Sequence, residues 1–118
     1  MATRLSDYIK TYDDKLDNDF CETIIKTFHE SDSIYVDREQ RPTFRELNIS
    51  ERYLNKDPKW MSIQARLSDI LTVSAKSYIN YLDVGADFPA QYGFEQFRMK
   101  MYDNNGKDQF KDHVDVGD

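Results

Sequence analysis

The stretch "FEQFRMKMYDNNGKDQFKDHVD", residues 94–115, decides the fold class because its hydrophobic period is two. Phe97, Met99 and Met101 alternate with polar or charged side chains, and alternate residues of a strand point to opposite faces of a sheet. The "DNNG" that follows contains Asn-Gly, a pair that tolerates positive φ and is typical of turns. The stretch therefore predicts a strand, a turn and a second strand over "QFKDHVDV".

The other face of the first predicted strand is polar. It carries Gln96, Arg98, Lys100 and Tyr102. A polar face is unusual for an interior strand but normal for a strand that lines a site. As plain alternatives, Tyr102 is a half-buried strand aromatic, and Arg98 and Lys100 are solvated charges.

Upstream, the clearest helix is predicted over residues 58–82. Asp57 supplies an N-cap, and Pro58 occupies the first helical position, where its missing N–H costs nothing. Apolar residues then recur with helical spacing, which predicts a long amphipathic helix that packs one face on a sheet. Gly85 and Pro89 are expected to end it.

A shorter helix is predicted in "LDNDFCETIIKTFHE", with Asp17 as its N-cap. Phe20, Ile24 and Phe28 recur four residues apart, and with Cys21 and Ile25 beside them they form one apolar stripe. Cys21 lies beside this stripe and is expected in the core rather than as a nucleophile, whereas His29 at the polar end is expected on the surface.

Two segments carry weaker patterns. In "SDYIKTYDDK" the alternation around Tyr8, Lys10 and Tyr12 predicts a short strand. Residues 31–56 are polar and are expected to be irregular apart from a short strand around residues 33–36. Long irregular segments are often functional loops.

Composition narrows the class of protein. Hydrophobic residues make up 39% and aromatic residues 14% of 118 positions, which is typical of one folded domain. The net charge of −6 and the absence of a Lys/Arg-rich run argue against nucleic acid as a partner. No stretch approaches the ~20 apolar residues of a membrane span, and no signal-peptide core is present. The single cysteine favours a reducing, cytoplasmic location.

The second predicted strand carries a histidine and a carboxylate two residues apart, His113 and Asp115. Residues i and i+2 of a strand face the same side, so both side chains can converge on one metal ion. An imidazole, a carboxylate and one more histidine form the facial triad of non-haem Fe(II) oxygenases. Aspartate is common in this chain, so an accidental pair is the alternative.

The order of these elements resembles the N-terminal part of an Fe(II)/2-oxoglutarate-dependent dioxygenase of the prolyl 4-hydroxylase type. In that family a helix with a "Leu-x-x-x-x-Cys" start opens the domain, as in "LDNDFCETIIKTF". A long helix then backs the main sheet. A strand ending in Tyr, a Gly-containing turn, an aromatic residue and His-x-Asp follow, and "FRMKMYDNNGKDQFKDHVD" has these parts in order.

The resemblance implies an α+β fold in which residues 1–118 supply the N-terminal helices and first strands of a double-stranded β-helix (a jelly-roll or cupin-like fold), incomplete in this chain. It implies that His113 and Asp115 are iron ligands and that Tyr102 hydrogen-bonds the 2-oxoglutarate carboxylate. Phe110 is then a packing aromatic. The cofactors implied are Fe(II) and the cosubstrate 2-oxoglutarate, and ascorbate is a further candidate.

The family also needs a second histidine ligand and a Lys or Arg for the distal 2-oxoglutarate carboxylate, both downstream of the His-x-Asp pair. We therefore expect a truncated chain that is inactive alone, whose full-length form hydroxylates a peptidyl prolyl or similar residue of a peptide or protein substrate. Residues 31–56 are a candidate substrate-covering loop. Exposed sheet edges would favour a homodimer.

Two other functions fit the same residues. One is a non-catalytic, acidic α+β module that binds another protein, with the His-x-Asp pair accidental. The other is a small metal-binding domain that borrows ligands from a second copy of itself.

Overall fold

The computed structural model describes residues 4–37 and 43–113. In chain order the helices are α1 (Asn18–Glu30), α2 (Ile49–Leu54) and α3 (Pro58–Leu82). The strands are β1 (Ile34–Asp37), β2 (Thr43–Asn48) and β3 (Arg98–Met101). Single 3₁₀ turns occupy Leu5–Tyr8 and Gly85–Asp87. The predicted α+β class is confirmed.

Helix α1 forms as predicted. The Asp17 carboxylate accepts a hydrogen bond from the Phe20 amide at 2.7 Å, which satisfies one of the amides that a helix start leaves without a partner. Phe20 and Phe28 are buried, and Ile24 packs against them half-buried. Phe20, Ile24 and Phe28 therefore form the face that α1 contributes to the core, whereas Ile25, which was expected beside them, is 50% exposed.

Helix α3 has the predicted bounds, with the Asp57 carboxylate accepting from the Lys59 amide at 3.2 Å. Its N-terminal half enters the core, where Trp60 is fully buried and its indole N–H donates to the Ser31 hydroxyl at 3.0 Å. Its C-terminal half is more exposed, since Tyr81 is 60% exposed. The long helix thus enters the core through its N-terminal half.

The end of α3 differs in detail from the expectation that Gly85 and Pro89 terminate it. The helix stops at Leu82, and Asp83 caps it with φ of 55° and ψ of 44°, in the left-handed region. Aspartate visits this region more readily than most residues because its short polar side chain can hydrogen-bond locally.

The three strands form one antiparallel sheet in the order β1-β2-β3. Leu47 pairs with Met99 across β2 and β3, and these side chains pack with Met101 against the helical core residues. We call this side the inner face. The opposite side, the outer face, carries the next residues along each strand, namely Phe44, Glu46, Arg98 and Lys100. The predicted alternation along β3 is confirmed.

The short strand predicted in residues 6–15 is wrong. Leu5–Tyr8 is a 3₁₀ turn, and residues 9–15 contain no strand. The segment lies against α3 instead, where the Tyr78 hydroxyl donates to the Tyr8 carbonyl at 2.6 Å and the Lys10 ammonium lies 4.1 Å from the Tyr81 ring centroid. The alternating pattern of residues 6–15 did not produce a strand because neither face of such a strand would be consistently apolar. A sheet would therefore gain little stability by burying it.

Residues 31–56 are more regular than predicted. The short strand is confirmed as β1, but β2 and α2 were not anticipated. Strand β2 lacks a period of two in hydrophobicity because it is buried on both faces: Phe44 is 5% exposed on the outer face and Leu47 is 3% exposed on the inner face. The expectation that this segment is irregular therefore fails for most of its residues.

The second predicted strand, over residues 109–116, does not form within the described residues. Gln109 makes an isolated bridge to Thr43 through two backbone hydrogen bonds of 3.1 Å, and residues 110–113 are irregular. The remaining residues of that prediction, including Asp115, lie outside the described part of the chain.

Candidate functional site

Tyr102 directly follows β3, and its ring lies beside the outer face of the sheet. Its ring centroid lies 5.4 Å from that of Phe44, and the side chain is 42% exposed. Desolvation raises the pKa of the Tyr102 hydroxyl, and the negative charge of Glu46 raises it further. The phenol is therefore held in its neutral, hydrogen-bonding form.

The loop after Tyr102 is folded back by the Asp108 side chain. Its carboxylate accepts from the Asp103 amide at 2.8 Å and from the Asn105 side chain at 3.1 Å. The Asp103 N–H is the main reason why the pKa of Asp108 is lowered. Gly106 allows the turn with a φ of 74°. The chain then returns to β2 at Gln109.

This return places Phe110 and His113 beside the outer face. Phe110 stacks on Phe44 with a centroid separation of 6.5 Å and an interplanar angle of 13°. The His113 ring lies 4.4 Å from the Phe110 ring. We call Phe44, Tyr102, Phe110 and His113 the aromatic cluster. Two residues proposed for the site from the sequence, Tyr102 and His113, are brought together through it.

The His113 ring has a defined orientation. Its Nδ1 lies 2.9 Å from the Lys111 carbonyl oxygen, which can only accept, so the contact makes Nδ1 the protonated nitrogen. In the neutral ring Nε2 then carries the lone pair. Metal-binding histidines commonly donate their second ring N–H to a carbonyl or carboxylate in this way. The ring is therefore suited to metal ligation through Nε2.

The donor set read from the sequence fits iron in kind, because it combines an imidazole with a carboxylate two residues on. The carboxylate, that of Asp115, lies outside the described residues. Within residues 4–37 and 43–113, no group of three His, Cys, Asp or Glu side chains is arranged to hold a metal ion. His113 is therefore the one predicted ligand with a described geometry.

Phe44 is the member of the cluster that sequence reasoning missed. It lies in the segment that was predicted to be irregular, yet it is the ring against which Tyr102, Phe110 and Lys100 all pack. Phe44 could have been found if "TFRELN" had been interpreted as a strand that is buried on both faces.

The charged residues of the outer face differ from each other in their contacts. The Arg98 guanidinium lies 3.7 Å from the Glu46 carboxylate, an exposed pair of small energetic value. The Lys100 ammonium lies instead over the rings of Phe44 and Phe110, at 4.7 and 5.1 Å from their centroids. Arg98 and Lys100 are both solvent-exposed, as the plain alternative held, but Lys100 also belongs to the cluster.

The other candidate residues lie apart from the cluster. His29 is exposed as predicted, with its ring 6.0 Å from that of Phe28. Cys21 is a free thiol that is only half-buried, so the prediction of a core position holds in part.

A cavity of about 680 Å³ lies between α1 and α3 and shares no residue with the aromatic cluster. Its floor includes Phe20 and Ile63. Its three lining cations are already paired, Lys26 and Lys59 with Glu30 at 3.9 and 3.3 Å and Arg66 with Asp17 at 2.6 Å.

Within the described part of the chain, no helix combines the length and the apolar character needed to cross a membrane. Compared with protein-family models, with curated proteins and with solved structures, the chain matches none of them.

Proposed function

We propose that this chain is part of an Fe(II)- and 2-oxoglutarate-dependent oxygenase domain of the prolyl 4-hydroxylase type, with the β1-β2-β3 sheet as the first strands of a double-stranded β-helix. His113 and Asp115 would hold the iron, and Tyr102 would bind 2-oxoglutarate. When bound, iron and 2-oxoglutarate supply the oxidation of a substrate C–H bond to an alcohol by O2.

One observation carries this proposal: the aromatic cluster joins Tyr102 to His113 through Phe44 and Phe110. The sequence resemblance places both residues at one site, and it does not depend on how the loop between them folds. A loop that extended away from the sheet would have separated them. Its hydrogen bonds to Asp108 turn it back instead, so both side chains lie on the same surface.

The roles of the chain's own residues follow from their contacts. The Lys111 carbonyl orients the His113 ring by accepting a hydrogen bond from Nδ1, and the imidazole would ligate iron through Nε2. Tyr102 keeps its proton, so it can donate a hydrogen bond to a carboxylate oxygen. Phe44 and Phe110 provide an apolar base that limits water at the site.

The proposal extends to substrate and location. The substrate would be a prolyl or similar residue of a peptide or protein, with ascorbate as an accessory reductant. A reducing cytoplasm suits both Fe(II) and the free thiol of Cys21. The third iron ligand would be a histidine other than those of this chain, because His29 lies on α1 and is not part of the cluster.

A titration of the purified chain with Mn(II), followed by electron paramagnetic resonance, tests the proposal. Two protein ligands should give weak binding that 2-oxoglutarate strengthens, because its keto acid end chelates the metal. His113→Ala should abolish this binding, whereas His29→Ala, the matched control, should leave it unchanged.

Equal Mn(II) binding by the wild type and by His113→Ala would overturn the assignment of His113. We expect no sustained 2-oxoglutarate consumption by these 118 residues alone, since two ligands are one fewer than a facial triad. Turnover by the isolated chain would contradict that part of the proposal.

A second candidate function is a protein-binding module, and the exposed apolar residues favour it. Ile34 on the edge strand β1 is 72% exposed, and Leu54 and Ile9 are 74% and 70% exposed. An edge strand presents unpaired backbone groups to another chain, so a homodimer paired through β1 is the form we propose. A wild-type chain that binds no Mn(II) but sediments as a dimer would favour this function over the oxygenase.

A further inference from the structure

The loop of residues 103–108 is held by the edge strand β1 as well as by its own side chains. The Tyr35 hydroxyl donates to the Asp108 carboxylate at 3.1 Å, and the Lys107 ammonium pairs with the Asp37 carboxylate at 2.5 Å. We call these two contacts the clamp. The partners are 73 and 70 residues apart in the chain, so the clamp forms only in the tertiary fold.

The groups of the clamp are in the charge states that the contacts require. The hydrogen bond and the charge of Asp37 raise the pKa of the Lys107 ammonium, so this pair is ionised at neutral pH. The Asp103 N–H is the main cause that lowers the pKa of Asp108, so its carboxylate stays an acceptor for the Tyr35 hydroxyl. Both contacts are exposed, so they contribute little to global stability.

The clamp acts from the side of the sheet opposite to the aromatic cluster. Tyr35 and Asp37 flank Val36, which pairs with Phe44 of the outer face. Since successive residues of a strand face opposite sides, Tyr35 and Asp37 belong to the inner side. The loop is thus held on the inner side, and the chain reaches the outer face again after Gln109 has paired with β2.

The loop separates the two residues on which joint binding of metal and cosubstrate depends. Tyr102 precedes the loop and packs on Phe44, which belongs to β2. His113 follows the loop and packs on Phe110. His113 and Asp115 are two residues apart in the chain, so their proximity does not depend on the loop. The position of His113 relative to Tyr102 does depend on it.

We infer that Tyr35 and Asp37 of β1 are positioning residues for the proposed site. Through the clamp they hold the loop closed, and the closed loop keeps His113 on the same surface as Tyr102. This inference rests on the proposed function and deepens it, because it makes cosubstrate binding depend on the edge strand. Metal binding without 2-oxoglutarate should not depend on the clamp, since it needs only the local pair of His113 and Asp115.

Titration with Mn(II), followed by electron paramagnetic resonance with and without 2-oxoglutarate, tests the inference. Tyr35→Phe and Asp37→Asn should bind Mn(II) alone as the wild type does. The gain in Mn(II) affinity that 2-oxoglutarate produces should fall about threefold in each variant, the scale of one exposed polar contact. Tyr53→Phe is the matched control, because Tyr53 is an exposed tyrosine on α2 outside the clamp, and it should keep the full gain.

An exchange of the two charges separates a positioning role from a general loss of packing. Asp37→Lys and Lys107→Asp should each reduce the gain, because each places two like charges beside one another. The double variant restores opposite charges and should recover most of the wild-type gain.

Nuclear magnetic resonance of the metal-free chain follows the His113 ring directly. The Phe110 ring lies 4.4 Å from it, so its ring current shifts the His113 ring protons. In Tyr35→Phe these resonances should move towards those of an exposed histidine, whereas those of His29 on α1 should stay in place. His113→Ala identifies which resonances belong to His113.

The outcomes separate this inference from the proposed function. If 2-oxoglutarate strengthens Mn(II) binding equally in the wild type, Tyr35→Phe and Asp37→Asn, the positioning role is overturned and the oxygenase proposal stands. If the wild type binds no Mn(II) but the His113 resonances move in the clamp variants, the proposed function fails and the clamp is supported. Resonances that stay in place would overturn the clamp whether or not Mn(II) binds.

Discussion

The two faces of the β1-β2-β3 sheet differ in how they are completed. On the inner face, Leu47 is 3% exposed and packs with Met99 and Met101 against residues of α1 and α3. On the outer face, Phe44 is as well buried, at 5%, but the rings that cover it are 42% and 43% exposed. The inner-face side chains are covered by helices and therefore contribute mainly to stability. The outer-face rings are covered only by one another, so they remain accessible to a ligand.

The difference also lies in what holds each face together. The inner face is held by apolar burial between elements, which is roughly proportional to the area removed from water. The outer face is held by ring contacts and by a loop whose bonds include carboxylate and amide side chains. Damage to the inner face should therefore unfold the whole chain, whereas damage to the outer face should open it locally.

The largest effect is expected for Trp60→Ala, which removes the fully buried indole beneath the inner face. The loss should be about 3–5 kcal/mol in the free energy of unfolding, because the substitution leaves a cavity and removes the partner of the Ser31 hydroxyl. Urea denaturation followed by circular dichroism measures it.

Trp60→Phe, which keeps most of the ring volume, serves as the control and should lose less. A Trp60→Ala chain as stable as the wild type would show that the inner face is not the main source of stability.

An intermediate effect is expected for Gly106→Ala, which acts on the loop of the outer face. Alanine at a φ of 74° costs about 1 kcal/mol in backbone strain, and no atom lies within 4 Å of the added Cβ, so strain is the only penalty. Hydrogen exchange should speed up at the Thr43 and Gln109 amides, which pair with each other's carbonyls, and not at the Ile49 amide, which donates to Phe97.

Gly106→Asn is the matched control, since asparagine tolerates positive φ better than alanine. Uniformly faster exchange at all three amides would mean that the two faces do not open independently.

The smallest effect is expected for Asp17→Asn at the start of α1, and it depends on pH. The Phe20 N–H is the main cause that lowers the pKa of Asp17, and the Arg66 guanidinium, at 2.6 Å, adds to it. A lowered folded-state pKa contributes stability that is present above the ordinary value of 3.8 and is lost as the pH falls through the folded-state pKa.

Urea midpoints of the wild type and of Asp17→Asn should therefore converge as the pH falls from about 5 towards 2. Asparagine keeps the N-cap hydrogen bond, so the difference isolates the charge. Arg66→Met, which removes the partner but keeps the cap, should show part of the same convergence. A difference that stays constant with pH would exclude the ionised Asp17 as its source.

Local signals in the sequence predicted the elements that depend on local physics. Asp57-Pro58 located the start of α3 to the residue, because a capping side chain and a proline act within one turn. The period of two located β3 and assigned its faces. The pattern failed at β2, because a strand buried on both faces has no alternation to detect. It also failed near Tyr8, where the alternation had no partner strand.

The same division applies to the site. The sequence by itself indicated His113 and Asp115 as a candidate metal-binding pair, because their types and spacing suit ligation, and the family resemblance added Tyr102 as a candidate. Only the tertiary structure decided that Tyr102 and His113 belong to one cluster, in which Tyr102 packs on Phe44, Phe44 stacks on Phe110, and Phe110 contacts His113. It also decided that Lys100 turns towards rings while Arg98 takes Glu46. Such contacts depend on the conformation of the loop and on which of two cations lies closer to the carboxylate. The spacing of residues along a strand determines neither.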